Sequence, residues 1–138
     1  MAQEHVDVVK RLVEGYINAD LEAAFSTVHP DIVLHEAAGL PFGGEWAGFE
    51  GFQKLLGAIM ADYQLEVLAY EAFDTGGGAM VRMDTRFTSL RSGAVLEMPI
   101  VELYGFTDGL ISDVDVFYKD TLAVAGLGEA AHQPATPR

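Results

Sequence analysis

Glu36 is a carboxylic acid at the end of an otherwise apolar stretch. A short strand is predicted from Ile32 to Glu36, and because every second side chain of a strand points the same way, Glu36 shares a face with Ile32 and Leu34. A carboxyl group whose pKa is raised by partial burial can accept or donate a proton near neutral pH. The alternative is that the strand has ended and Glu36 is solvated. His35 points to the opposite face, which favours a structural or interface role for it.

Glu102 interrupts MPIVELYGF, the most apolar stretch of the chain. Alternation places it on one face with Met98, Ile100 and Tyr104. A buried carboxylate is costly unless it is paired or protonated, and Arg82 on the preceding predicted strand is a possible partner. The alternative places Glu102 in solvent or at a dimer interface.

Arg82 and Asp84 lie two residues apart in MVRMDTRF, so they share a strand face, with Arg86 beyond them. If this face lines a pocket, both residues could stabilise charge that develops on a substrate held near Glu36 and Glu102. The competing interpretation is an outward face of exposed ion pairs, each worth about 0 to 1 kcal/mol.

A further set of apolar and aromatic side chains is predicted to line a pocket for a ring-shaped ligand. Its members are Tyr16, Leu34, Phe42, Trp46, Met98, Ile100, Val116 and Tyr118. Aromatic residues at such spacings are also common in ordinary cores. On the last predicted strand, Asp113 and Asp115 face away from this apolar side and are expected to be solvated.

The elements that must position these residues come in two blocks. Apolar side chains at three- and four-residue steps predict helices over residues 6–17 and 49–60, and Asp20 can cap a short helix between them. A Gly- and Pro-rich loop is expected over residues 39–48. Beyond residue 63 the apolar period approaches two, and three turn signals separate four strands, at about 64–74, 79–89, 94–106 and 110–119. Three N-terminal helices followed by an antiparallel meander predict an α+β half-barrel, with the sheet curling around the helices.

Composition sets further limits on function. The 138 residues fit one domain, expected over residues 1–125, with a loose Gly-, Ala- and Pro-rich tail over 126–138. A net charge of −13 argues against nucleic acid or an anionic membrane surface as partner. No apolar run is long enough to cross a bilayer, and with no Cys and no secretory signal we expect a cytoplasmic protein. The four His are scattered, which predicts no metal site, and the glycines of residues 76–78 form a turn rather than a phosphate cradle.

Four strings, in this order and spacing, resemble the nuclear transport factor 2-like superfamily and especially its SnoaL-like polyketide cyclase branch. They are YINADLEAAFSTVHPDIVLHE, LPFGGEWAGFEGF, EMPIVELYGFTDG and ISDVDVFYKDT, and they lie within residues 6–121. The resemblance implies a cone-shaped α+β barrel, a buried small-molecule pocket and frequent dimerisation through the sheet.

Two groups of relatives suggest roles for individual residues. Similarity to the ketosteroid isomerases implies that Glu36 is a general base, that an acid at or next to Glu102 binds an enolate, and that Tyr16 could reach the cavity. Limonene epoxide hydrolases resemble this chain in the Arg-x-Asp of Arg82 and Asp84. Those hydrolases also need polar residues at positions that match Leu34, Glu36 and Val116, so their site is incomplete here.

Three hypotheses follow for function. The first is a cofactor-independent isomerase, cyclase or hydrolase that acts by acid–base chemistry on a small apolar ring compound. The second is a binding module that holds a hydrophobic metabolite without turnover. The third is a homodimeric structural or interaction protein whose interior is filled by its own side chains.

Overall fold

The computed structural model describes residues 2–129 of the 138-residue chain. In chain order the elements are α1 (Ala2–Ile17), α2 (Leu21–Phe25), β1 (Val28–Glu36), β2 (Gly44–Ala47), α3 (Gly48–Asp62), β3 (Tyr63–Asp74), β4 (Ala79–Ser89), β5 (Val95–Thr107), β6 (Leu110–Tyr118) and α4 (Thr121–Gly126), followed by a 3₁₀ turn at Leu127–Glu129. The α+β class, the three N-terminal helices and the four-stranded meander predicted from the sequence are confirmed.

The sheet has six strands in the order β2-β1-β6-β5-β4-β3. All neighbours are antiparallel except β1 and β6, which run parallel, so the last strand lies between the first strand and the meander. Register shifts between Val67 and Ala69 and between Gly105 and Phe106 interrupt the ladders. Such irregularities bend a strand and increase its twist, which helps the sheet to curl around the helices without closing.

Alternation along the strands decides which side chains enter the core. On β4, every second residue from Val81 to Phe87 is buried, Thr85 included, whereas Arg82, Asp84 and Arg86 are more exposed. From α1, Val9, Leu12 and Val13 pack into the same core at helical spacing. The concave side of the sheet is therefore the side on which a protected site can form.

Two segments differ from the sequence prediction. The expected loop over residues 39–48 contains β2, a four-residue strand that pairs with the end of β1. Local composition favours a loop here, but pairing with β1 overrides it because strand formation depends strongly on neighbours. Strand β1 itself starts at Val28, four residues before the expected start at Ile32.

The expected C-terminal tail starts at residue 126, but the chain stays packed beyond that point. Gly126 ends α4, and Leu127 is only 6% exposed and belongs to the core. The rest of the expected tail, residues 130–138, lies outside the described residues. Within the described part of the chain, no helix is long and apolar enough to cross a membrane.

Candidate functional site

Glu36 and Glu102 lie on the concave side of the sheet, on the two strands that flank β6. Glu102 pairs with Val116, and Leu34 pairs with Val114, so Glu36 reaches the level of Val116 two residues further along β1. Because neighbouring strands are about 4.8 Å apart, the two glutamate backbones are roughly 10 Å apart. The small side chain of Val116 stands between them.

Glu36 accepts a hydrogen bond from a tyrosine on the neighbouring strand. The Tyr118 hydroxyl donates to Glu36 Oε1 at 2.6 Å. Burial, and to a smaller extent the charge of Glu102, raises the pKa of Glu36, and the Tyr118 hydrogen bond lowers it; the net result is a pKa of about 8. The second carboxyl oxygen, Oε2, has no hydrogen-bond partner within residues 2–129.

Glu102 has the same kind of partner on its own strand. The Tyr104 hydroxyl, two residues along β5, donates a hydrogen bond to Glu102 Oε1. Burial raises the pKa of Glu102, and the Tyr104 hydrogen bond only partly offsets this effect. The interior therefore favours the neutral form of this acid, which can donate a hydrogen bond.

Tyr16 brings a third tyrosine to the two acids from helix α1. Its pKa is raised well above the ordinary value, first by burial and then by the charges of Glu102 and Glu36. In the part of the chain that the structure describes, its hydroxyl makes no hydrogen bond. The hydroxyl of Tyr16 is therefore a proton donor that remains available to another molecule.

Apolar side chains surround the polar groups. Phe42, whose ring is 2% exposed, lies 5.8 Å from the ring of Tyr63 and 6.2 Å from that of Tyr118. The other members of the predicted lining, Leu34, Met98, Ile100 and Val116, are buried in the same core, and Trp46 packs against it. The structure thus brings the predicted apolar residues and both glutamates to one side of the sheet.

Arg82 and Asp84 do not join this site. They lie on the convex face of β4, with side chains 49% and 50% exposed, and Arg82 Nη1 is 3.3 Å from Asp84 Oδ1. Arg82 is paired with Val101, whereas Glu102 is paired with Val81, so the Arg82 side chain points away from Glu102. The possible contact between Arg82 and Glu102 is therefore not formed, and the arrangement matches the alternative of an exposed ion pair on an outward face.

Tyr104 belongs to this cluster but is not among the site residues predicted from the sequence. It shares a strand face with Glu102, and a hydroxyl two residues from a buried acid is within reach of it. This two-residue spacing is the signal in the sequence that could have identified Tyr104.

Outside the cluster, Asp113 and Asp115 lie on the convex face as expected, and Asp113 pairs with His35. Among residues 2–129, no group of three or more possible ligand side chains could hold a metal ion.

The fold and the site together define a class of protein. Helices packed in the concave face of a curled, unclosed sheet are the architecture of the nuclear transport factor 2-like superfamily. Within that class, residues 9–114 match the family model of the SnoaL-like domain, and the chain belongs to this family.

Solved structures with the same fold cover nearly the whole chain. TerC, co-crystallized with polyporic acid, superposes with a TM-score of 0.83 at 22% identity, covering 92% of this chain and 99% of TerC. An NTF2-like protein from Burkholderia pseudomallei gives 0.83 at 18% identity over 92% of this chain and 98% of that one. A candidate polyketide cyclase from a Silicibacter species gives 0.76 at 19% identity over 85% and 90% of the two chains. At these identities the similarity establishes the fold.

Proposed function

We propose that this protein binds an apolar, ring-shaped carbonyl compound inside the curled sheet and transfers a proton on it, as an isomerase or cyclase. One observation carries the proposal. Glu36 and Glu102 stand on either side of β6, and each accepts a hydrogen bond from a tyrosine at one carboxyl oxygen. Proton donors and acceptors from the chain suffice for this chemistry, so the proposal invokes no cofactor.

Each group has a definite role in the proposed reaction. Ionised Glu36 takes a proton from the carbon next to the carbonyl through Oε2, while Tyr118 orients the carboxyl group through Oε1. Negative charge then builds on the carbonyl oxygen, and neutral Glu102 and Tyr16 donate hydrogen bonds to it. Glu36 returns the proton to a different carbon, which completes an isomerisation and restores the free enzyme.

The raised pKa of Glu36 sets the expected pH dependence. With a pKa of about 8, only about one-tenth of Glu36 is ionised at pH 7. If the carboxylate is the base, the rate rises with pH and levels off above about pH 8. If Glu36 acts as the acid, the rate falls over the same range.

The same ionisation state supports the second candidate, a binding module. At neutral pH Glu36 is largely neutral, because its pKa is raised to about 8, and burial raises the pKa of Glu102 in the same direction. Two neutral acids beside Tyr16 can hold the oxygen atoms of a ring compound by hydrogen bonds without any turnover.

The epoxide hydrolase alternative has less support. In the hydrolases that resemble this chain, the Arg-x-Asp pair holds the epoxide, but Arg82 and Asp84 lie on the convex face. An epoxide bound inside the sheet would be out of their reach.

A ligand screen followed by a variant separates these functions. Ring ketones, epoxides, polyketide-like phenols and polyporic acid are tested for a thermal shift, and every binder is followed for product. Polyporic acid is included because TerC, which has the same fold, was co-crystallized with it.

The enzyme proposal requires that Glu36→Gln abolishes product formation, and that Glu71→Gln, the same change at an exposed position on β3, does not. Stabilisation without product in the wild type favours the binding module, and no binder at all favours the interaction protein.

We also propose that the convex face of the sheet forms a homodimer in the cytoplasm. Leu103 on β5 and Phe117 on β6 are apolar side chains exposed on this face, and Phe117 is 50% exposed. Phe117→Asp should convert a dimer into a monomer in light scattering. Leu122→Asp, at an 85% exposed position on α4, is the matched control and should leave the mass unchanged. Equal masses for the wild type and Phe117→Asp would rule out this face.

A further inference from the structure

His35 lies on the convex side of β1, between two carboxylates from neighbouring strands. Its Nδ1 is 3.1 Å from Glu45 Oε2 on β2, and its Nε2 is 2.9 Å from Asp113 Oδ1 on β6. An ionised carboxylate only accepts hydrogen bonds, and a neutral imidazole has a single N–H. The Nε2 contact with Asp113 is a hydrogen bond, and the Nδ1 contact with Glu45 is an ion pair. The two contacts are attractive together only when both ring nitrogens are protonated, that is, when the ring is an imidazolium.

The strand held by this contact is the shortest strand of the sheet. β2 has four residues, lies at the sheet edge and pairs with β1 alone. It continues from the loop of residues 37–43, and we call residues 37–47 the flap. Gly44 in the flap has a φ of +100°, a conformation that favours glycine.

The flap packs next to the candidate site. On β2, Trp46 pairs with Leu34 and its indole Nε1 donates a 3.1 Å hydrogen bond to the carbonyl oxygen of Phe42. The ring of Phe42 in turn contacts Tyr118, which holds Glu36. Displacing β2 would therefore remove packing from the tyrosine that orients the proposed acid or base.

We propose that His35 is a positioning residue, whose protonated ring ties β2 to β1 and β6 and so holds the flap against Tyr118. The attachment of the flap is then pH-dependent. Its consequence for turnover rests on the proposed function, but the attachment itself does not.

The groups that face His35 are Glu45 from β2 and Asp113 and Asp115 from β6. The hydrogen bond with Asp113 contributes most to raising the pKa of His35 above its ordinary 6.5, the three charges add to it, and burial opposes them. A raised pKa means that the stabilising contribution is complete below about pH 6.5 and is lost as the pH rises through the folded-state pKa. The flap should therefore loosen on the alkaline side.

Hydrogen–deuterium exchange of a peptide covering the flap tests this directly, without any ligand. After correction for the intrinsic exchange rate, wild-type protection should be about fivefold lower at pH 9 than at pH 6, as expected for losing an ion pair worth about 1 kcal/mol. His35→Gln should show the lower protection already at pH 6 and no further fall. Glu45→Gln should behave in the same way, and because Glu45 is exposed, this variant serves if His35→Gln does not fold.

Two controls identify the titrating group. His29→Gln makes the same change at another histidine of β1, whose Nδ1 accepts a hydrogen bond from the backbone amide of Asp31 instead, and it should keep the wild-type fall. Glu36→Gln should also keep it, although Glu36 titrates in the same pH range. A fall that persists in both His35→Gln and Glu45→Gln, or that disappears in Glu36→Gln, would overturn the proposal. Failure to find a substrate in the ligand screen would not overturn it, so the two proposals can fail separately.

Emission from Trp46, the only tryptophan of the chain, provides a second measurement of the flap. Its spectrum should shift to longer wavelength between pH 6 and pH 9 in the wild type and in His29→Gln. Constant emission in the wild type over this range would contradict the loosening. Loss of the shift in His35→Gln, with a spectrum like that of the wild type at pH 9, is the expected result.

Discussion

Tyr118 and Glu36 are joined by a 2.6 Å hydrogen bond across two parallel strands, β6 and β1. The bond stabilises the ionised carboxylate, whereas burial and the charge of Glu102 favour the neutral acid. The Tyr118 hydroxyl partly offsets the effect of burial on the pKa of Glu36. The pKa therefore stays within the range in which a carboxyl group can exchange protons near neutral pH.

Tyr118→Phe should raise the pKa of Glu36 further, because the ionised form loses its donor. A hydrogen bond to a charged group is worth about 1.5 to 3 kcal/mol, which corresponds to a shift of about 1 to 2 pH units. Carbon NMR of the Glu36 carboxyl carbon across a pH titration measures it. Tyr104→Phe, which removes the donor to Glu102 instead, should move the Glu36 midpoint by less than half as much; equal shifts in the two variants would contradict the assignment.

Glu36→Gln should stabilise the protein at alkaline pH. The folded-state pKa of about 8 exceeds the ordinary 4.5, so the folded protein holds this proton more tightly than the unfolded chain does. In the wild type, the contribution of neutral Glu36 to the free energy of unfolding is fully present below about pH 4.5 and is lost as the pH rises through about 8. Urea unfolding at pH 9 should therefore show the variant more stable by about 2 to 4 kcal/mol, with little difference at pH 5. The same advantage at both pH values would argue against a buried, titrating Glu36.

Tyr16→Phe should separate ligand binding from stability. Because the Tyr16 hydroxyl has no hydrogen-bond partner within residues 2–129, its removal should change the free energy of unfolding by no more than about 0.5 kcal/mol. Binding or turnover of a ring ketone found in the screen should fall about tenfold, as for one lost hydrogen bond. Tyr70→Phe is the matched control, because its hydroxyl binds Glu14 outside the site, and it should leave ligand binding unchanged.

Arg82→Ala and Asp84→Asn should affect neither ligand binding nor turnover by more than about twofold. Both side chains are about half exposed on the convex face, where an ion pair contributes about 0 to 1 kcal/mol. Calorimetric unfolding and the ligand assay measure the two quantities. A large loss of turnover in either variant would show that the convex face takes part in the reaction.

Alternation along single strands correctly predicted the side of the sheet on which Glu36 and Glu102 lie. The apolar neighbours of Glu36 and Glu102 were enough to place each on the concave side. Register between strands is harder, because a shift of one residue moves every side chain of a strand to the other face. The possible pairing of Arg82 with Glu102 is not formed, because the hairpin pairs Glu102 with Val81 and leaves Arg82 on the opposite face, a register that the turn residues at 91–93 do not specify.

The flap and the parallel pairing of β1 and β6 could not be read from local pattern. Gly43 and Gly44 are typical of a loop, and only the neighbouring β1 turns residues 44–47 into a strand. The partners Glu36 and Tyr118 are 82 positions apart in the sequence, and no periodicity relates them.

The position of β6 between β1 and β5 has a consequence for synthesis on the ribosome. A growing chain that has not yet released Tyr118 contains Glu36 but lacks its hydrogen-bond partner and the strand that joins β1 to the meander. Contacts between residues so distant in sequence carry a large loop-closure entropy and form late in folding. The two acids are therefore brought together only when the last strand inserts, and no shorter nascent fragment can possess the assembled site.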